Sequence, residues 1–256
     1  MKIKPLIFAV LLISIAVLSV CAATEDLSVK WSYGMNNSAK AVVLAVNVAD
    51  YDGDGFNDVA VGAKEDTLQG SAGWVYILNN DGSLKWEYDT PGAISAMITS
   101  DLSGNGKPLI IAGVSSRIYI FDGEGNAKQI SLGELSYRAS VMIAEDINKD
   151  GAKELVVAGG SQDKGKVFIF DKDGKLPYSQ ATLGSPSAMV LSDLNGDGLK
   201  EIIVGTVGRE NAYPAYVQAY TSKGDNLWPA YKTKKGVLSL AVLDINGDGS
   251  PEILAG

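Results

Sequence analysis

Histidine is absent from this 256-residue sequence, which removes the usual general base at neutral pH and the commonest zinc ligand. Cysteine occurs once, at Cys21, so no disulfide can form within the chain. Stability must come from core burial or bound metal. No basic tract is present: 22 Lys and Arg stand against 30 Asp and Glu, for a formal net charge of −8. That balance argues against a nucleic-acid partner. A Gly-x-Ser-x-Gly nucleophile elbow is also missing, so the ordinary hydrolase triads are excluded.

Long apolar runs are confined to one place. Lys2 and Lys4 precede the stretch from Pro5 to Val20, and Cys21-Ala22-Ala23 then supplies small residues suited to cleavage. Residues 1–23 read as an export signal peptide or, if uncut, as an N-terminal anchor. Leu18-Ser19-Val20-Cys21 comes close to a bacterial lipobox, with Val20 where a small residue is expected, so a lipid on Cys21 is a third alternative. Each places residues 24–256, one β-rich domain, outside the cell or on its surface.

What the chain has in abundance is one acidic loop of nine residues. It runs Asp50-Tyr-Asp52-Gly-Asp54-Gly55-Phe-Asn-Asp58 and returns, with changes, from Asp101, Asp146, Asp193 and Asp244. The spacing of 45 to 51 residues is that of a propeller or solenoid array. Fourteen of the 30 acids occupy these loops, so the acidity is gathered where a divalent cation can neutralise it.

The third unit shows the pattern. Val141 to Ala144 leads into the loop, Leu155-Val156-Val157-Ala158-Gly159 follows, and Lys166-Val167-Phe168-Ile169-Phe170 precedes a turn ending at Gly174. Corresponding turns end at Gly82, Gly125 and Gly224. The spacing predicts strand, acidic loop, strand, connection, strand, hairpin, strand. Four short strands per unit make an all-β propeller of four-stranded blades, in which radial stacking buries both faces of each sheet. Tryptophans recur at one place, in Lys30-Trp31-Ser32-Tyr33, Lys85-Trp86-Glu87-Tyr88 and around Trp228, and are expected to plug the seams between blades. The chain gives four complete blades and a fifth begun near Leu240. Either the sequence is truncated at Gly256, or the N-terminal strand at Val29 to Tyr33 closes the ring.

Calcium takes six to eight oxygens from carboxylates, amides, backbone carbonyls and water. Side chains at positions 1, 3, 5 and 9 and the carbonyl at position 7 can converge in such a loop. The expected ligands are Asp50, Asp52, Asp54, Phe56 and Asp58; Asp146, Asn148, Asp150, Ala152 and Glu154; Asp193, Asn195, Asp197, Leu199 and Glu201; and Asp244, Asn246, Asp248, Ser250 and Glu252. Up to four calcium ions follow. The second loop, with Ser103, Lys107 and Leu109, is expected to keep the turn and lose the ion. Glycine at position 6 points to a positive φ. An EF-hand is excluded because position 12 is Val61, Val157, Val204 or Ala255, not glutamate, and lies in β-type sequence.

With these residues in view, the sequence resembles the FG-GAP/VCBS repeat family of integrin α-subunit propellers and many secreted microbial proteins. The resemblance covers roughly residues 40 to 256. It implies calcium held in hairpin loops between adjacent blade strands. A weaker likeness links the run from Val75 to Tyr88 to quinoprotein-type propeller repeats, without the arginine-and-acid cofactor pocket those enzymes need.

The expected function is a calcium-stabilised, non-catalytic extracellular scaffold for adhesion or for binding a protein or glycan ligand. The alternatives are a secreted polysaccharide-active enzyme, a quinoprotein-like propeller, or a purely structural module of a larger surface protein. Gly208 to Tyr216 is the least repeat-like stretch and a candidate binding loop. Membrane contact is expected only through an uncleaved N-terminal segment or a lipid on Cys21.

Overall fold

The computed structural model describes residues 29–34, 41–67, 70–133, 137–161, 164–208 and 214–256. The candidate signal segment 1–23 with Cys21, and residues 209–213 of the candidate binding loop, lie outside them. Two compact units are distinguished, Met1–Gly34 and Met35–Gly256. In the first, residues 29–34 form no strand, which corrects the expectation of a closing strand at Lys30-Trp31-Ser32-Tyr33. A run of strand-forming residues gives only a tendency, which the rest of the chain can override.

In the second unit, every sheet is an antiparallel meander. The first contains β1 (Val42–Ala49), β2 (Asp58–Thr67), β3 (Gly70–Leu78) and β4 (Leu84–Thr90). The second contains β5 (Ile94–Ser100), β6 (Leu109–Val114), β7 (Arg117–Phe121) and β8 (Ala127–Ser131). β9 (Arg138–Glu145), β10 (Glu154–Ser161), β11 (Lys164–Phe170) and β12 (Tyr178–Leu183) make the third. The fourth has β13 (Ser185–Ser192), β14 (Glu201–Val207), β15 (Ala215–Tyr220) and β16 (Tyr231–Thr233). β17 (Leu240–Leu243) pairs only with β18 (Glu252–Ala255). These are four complete blades and a partial fifth, as the repeat predicts.

Each acidic loop joins the first and second strands of its blade, and each glycine-ended turn joins the third and fourth. Gly82, Gly125, Gly174 and Gly224 donate their N–H to the carbonyl three residues back, at φ between 77° and 87°. The first strands carry a feature that the spacing does not reveal. The ladder skips Leu44, Ser95, Ser140 and Ser187, each six residues before the loop's first aspartate. The added residue makes a repeated β-bulge that bends the strand.

The core is a series of seams between consecutive blades. The first gathers Ala60, Val75 and Ile77 against Ile94, Met97, Ile110 and Phe121. The others join blades two and three around Ile111, Met142 and Phe168, blades three and four around Val156, Met189 and Tyr220, and blades four and five around Ile203, Val237 and Leu240. Trp86 takes the expected seam role. It packs against the first cluster, its ring lies 5.6 Å from that of Phe121, and its Nε1 donates to the Gly123 carbonyl at 2.9 Å.

Candidate metal centre

All five loops share one backbone arrangement, organised by the first aspartate. The position-6 N–H donates to its Oδ2 in every loop: from Gly55 at 2.9 Å, Gly106 at 2.6 Å, Gly151 at 3.0 Å, and Gly198 and Gly249 at 2.8 Å. In loops one, four and five the position-4 N–H, from Gly53, Gly196 and Gly247, donates to Oδ1. The position-7 N–H, from Phe56, Lys107, Ala152, Leu199 and Ser250, donates to the position-5 side chain. Two left-handed residues make this compact. Position 6 lies at φ 80° to 88°, as expected, and position 4 is also positive, at 83°, 68°, 62°, 77° and 77°. Glycine supplies φ > 0 at four of these position-4 sites, and Lys149 is forced there at the fifth.

The structure brings the predicted ligand side chains together most closely in loop one, without Asp58, and through asparagine contacts in loops three to five. Carboxylate oxygens of Asp50, Asp52 and Asp54 lie within 4.8 Å of one another. In loop three, Asn148 Nδ2 is 3.1 Å from Asp150 Oδ2 and 3.0 Å from Glu154 Oε1. In loop four, Asn195 Nδ2 is 3.1 Å from Asp197 Oδ2 and 3.3 Å from Glu201 Oε1. In loop five, Asn246 Nδ2 is 2.9 Å from Glu252 Oε1. The orientation of each amide is fixed by its Oδ1, which accepts the position-5 backbone N–H, from Asp150, Asp197 and Asp248, at 2.8 Å. Asp146 Oδ1 is buried without a hydrogen-bond partner among the described residues. An orphaned carboxylate oxygen costs free energy unless a cation or donor meets it, so loop three fits a bound cation. Loop two has no comparable set: Ser103 Oγ donates to Asp101 Oδ1 at 3.3 Å, and Leu109 begins β6.

The ninth position does more than the sequence revealed. Glu154, Glu201 and Glu252 each accept, through Oε2, the backbone N–H of position 2: Ile147 at 3.1 Å, Leu194 and Ile245 at 2.8 Å. The acid therefore closes the loop as well as facing its centre. Burial pushes the Glu154 and Glu201 carboxyls above the usual range, and the neighbouring aspartates push the same way, against those N–H bonds. Asp244 is held below its usual range, first by the Gly249 N–H and then by those of Gly247 and Asp248.

Lysines, invisible to any spacing argument, organise the loops further. Lys85 of β4 reaches back to Asp52, and lies 3.2 Å from Asp58 Oδ2. Its hydrogen bond holds Asp52 below the usual carboxylate range, while burial holds Asp58 above it. Loop one, richest in carboxylates, thus carries its own counter-cation. The position-8 lysines tie neighbouring blades: Lys200 pairs with Glu145, and Lys153 Nζ lies 3.4 Å from Ser100 Oγ. Lys149 extends over Gly198 of the next loop.

Four-stranded antiparallel blades in succession, each with an acidic loop after its first strand, define a β-propeller-type repeat protein. The chain belongs to the FG-GAP repeat family: residues 146–204 and 193–255 match the FG-GAP-like repeat, and residues 43–78 the FG-GAP repeat. No curated protein sequence matches it. Among solved structures, the V. cholerae biofilm matrix protein Bap1 is similar at 25% identity and a TM-score of 0.64. That similarity covers 88% of this chain and 37% of Bap1, so the chain spans well under half of that protein. The Dos1 propeller shares the fold at 12% identity and a TM-score of 0.53, over 72% of this chain and 46% of its own.

Proposed function

We propose that this chain is a calcium-stabilised, non-catalytic propeller scaffold that acts in adhesion or ligand binding at the cell surface or outside it. The observation that carries the reading is the donor set of loops one, three, four and five, above all the partnerless buried oxygen of Asp146. Membership of the FG-GAP family and similarity to a biofilm matrix protein support the extracellular and adhesive part. The proposed ligands are the side chains at positions 1, 3, 5 and 9 and the carbonyls of Phe56, Ala152, Leu199 and Ser250. Bound calcium supplies a hard dication that neutralises gathered carboxylates, and an ion held only by the folded loop stabilises the fold by mass action.

EDTA is expected to lower the melting temperature and added calcium to restore it. An unchanged melting curve would remove the metal from the proposal. Retention on immobilised glycans and matrix peptides, measured with and without EDTA, tests the adhesive part. Calcium-dependent binding without turnover is the expected result, and release of product would overturn the non-catalytic reading.

A further inference from the structure

Asparagine followed by glycine occurs at Asn105-Gly106, Asn195-Gly196 and Asn246-Gly247, and every instance in the sequence lies in an acidic loop. Loop three has Asn148-Lys149 where loops four and five have the pair. The asparagine amide is among the thermolabile side chains. Its weak point is the backbone nitrogen of the next residue, which attacks Cγ and closes a five-membered ring. Glycine shields that nitrogen least, because it carries no Cβ.

The loops surround each pair with the groups this attack needs. Asn195 Oδ1 and Asn246 Oδ1 accept the N–H of Asp197 and Asp248, both at 2.8 Å, and Asn105 Oδ1 accepts that of Lys107 at 2.9 Å. Each bond closes a ring of atoms that contains both Cγ and the glycine nitrogen, and it polarises the side-chain carbonyl toward attack. The glycine N–H in turn donates to a carboxylate. Gly196 reaches Asp193 Oδ1 at 2.7 Å; Gly247 reaches Asp244 Oδ1 and Gly106 reaches Asp101 Oδ2, both at 2.6 Å. A charge-assisted bond of this kind draws on the N–H and leaves the nitrogen richer in electrons. All three asparagines are exposed. A Cβ on any of the three glycines would meet nothing within 4 Å, so water reaches the ring. Loop three differs twice: its residue is Lys149, and Asp146 Oδ1, the counterpart acceptor, has no hydrogen-bond partner among the described residues.

We infer that Asn105, Asn195 and Asn246 are self-modification sites, at which the folded chain converts asparagine to aspartate and isoaspartate. The glycine nitrogen forms a bond to Cγ, and the bond from Cγ to Nδ2 breaks. The glycine proton leaves with the amide group as ammonia. Water then opens the succinimide at the side-chain carbonyl, giving aspartate, or at the backbone carbonyl, giving isoaspartate. In loops four and five the lost Nδ2 is the atom that faces Glu201 and Glu252. Aspartate puts an oxygen there and brings each loop from three carboxylates to the four of loop one. Isoaspartate instead adds a carbon to the backbone of the loop. The chemistry stands without the calcium reading, and only its effect on a bound ion rests on that reading.

The test is peptide mapping by mass spectrometry after the folded chain is incubated in EDTA at mildly alkaline pH, so that no cation takes part. Asn105, Asn195 and Asn246 are expected to show the mass gain of an amide-to-acid conversion, with release of an equal amount of ammonia, while Asn148 stays an amide. Lys149→Gly supplies the missing glycine at a backbone position already at φ 62°. It is expected to make Asn148 convert, with an undiminished melting temperature. Amides retained at Asn195 and Asn246 would overturn the inference, as would conversion in the denatured chain alone or an unchanged Asn148 in Lys149→Gly. A separate arm reads the ion: Asn195→Asp is expected to bind calcium more tightly in calorimetry. Unchanged affinity there would count against the calcium reading of loop four and leave the modification sites in place.

Discussion

Lys85 shows how much one side chain can change a site. Its ammonium pairs with Asp52 and Asp58, so a divalent ion entering loop one must displace it or share the carboxylates with it. Charge counting alone would rank loop one as the tightest; the internal cation works against that order. Lys85→Met is expected to tighten divalent binding at loop one by about tenfold, the scale of one screened charge–charge repulsion, as read by calorimetry. Unchanged affinity would show that Lys85 moves aside at no cost. In the same way, Asp150→Ala should lower the melting temperature in calcium much more than Asp101→Ala. Only Asp150 belongs to a complete donor set, and losing a metal site costs about a few kcal/mol. Equal shifts would mean that loop three holds no ion.

Among the structural elements, a second-strand glycine makes one of the close approaches between sheets. A Cβ placed on Gly113 of β6 would lie 2.7 Å from the Ala139 Cβ of β9. A methyl on backbone has no rotamer into which to retreat, so the seam must open. Gly113→Ala is expected to cost about 1–3 kcal/mol in chemical denaturation, the usual penalty for overpacking. Adding Ala139→Gly should recover part of the loss, because the two methyls compete for one space. Strict additivity of the two changes would place the strain elsewhere. Trp86 works at the same scale. Trp86→Phe keeps a ring in the seam and loses the bond to the Gly123 carbonyl, for an expected cost of about 1 kcal/mol.

Across the whole molecule, stability is the sum of seams, and the third seam contains a titrating group. Tyr220 is fully buried, with its one hydroxyl proton shared between Gln218 Oε1 at 3.1 Å and the Ala181 carbonyl at 3.3 Å. Burial pushes its phenol upward from the usual 10.0. The folded state therefore holds this proton more tightly than the unfolded chain. The associated stability is present below the unfolded pKa and is lost as pH rises beyond it. Denaturation midpoints should fall above about pH 10, and Tyr220→Phe should flatten that fall. An identical alkaline slope in the variant would assign the loss to other groups.

Whatever depends on neighbours along the chain could be read from the order of residues. The period of the aspartates fixed the number and order of the blades. The hydrophobic runs on either side of each loop fixed its strands, and the turn glycines fixed the hairpins. The positive φ of the position-6 glycine and the meeting of Asp50, Asp52 and Asp54 were also legible, because one nine-residue loop folds on itself. Loop two could be read as deficient from Ser103 and Leu109 alone. The rest emerged only on folding, since it depends on residues brought together from distant places. Nothing in the spacing tells that Lys85 returns to Asp52, or that Lys200 crosses to Glu145 of the previous blade. The strand-like run at Lys30 to Tyr33 is not a strand, because composition gives only a tendency that the rest of the chain can override. Val46 and Ile245 look as apolar as their buried counterparts in other units. Only the stacking of one blade on another decides which apolar residues a seam buries.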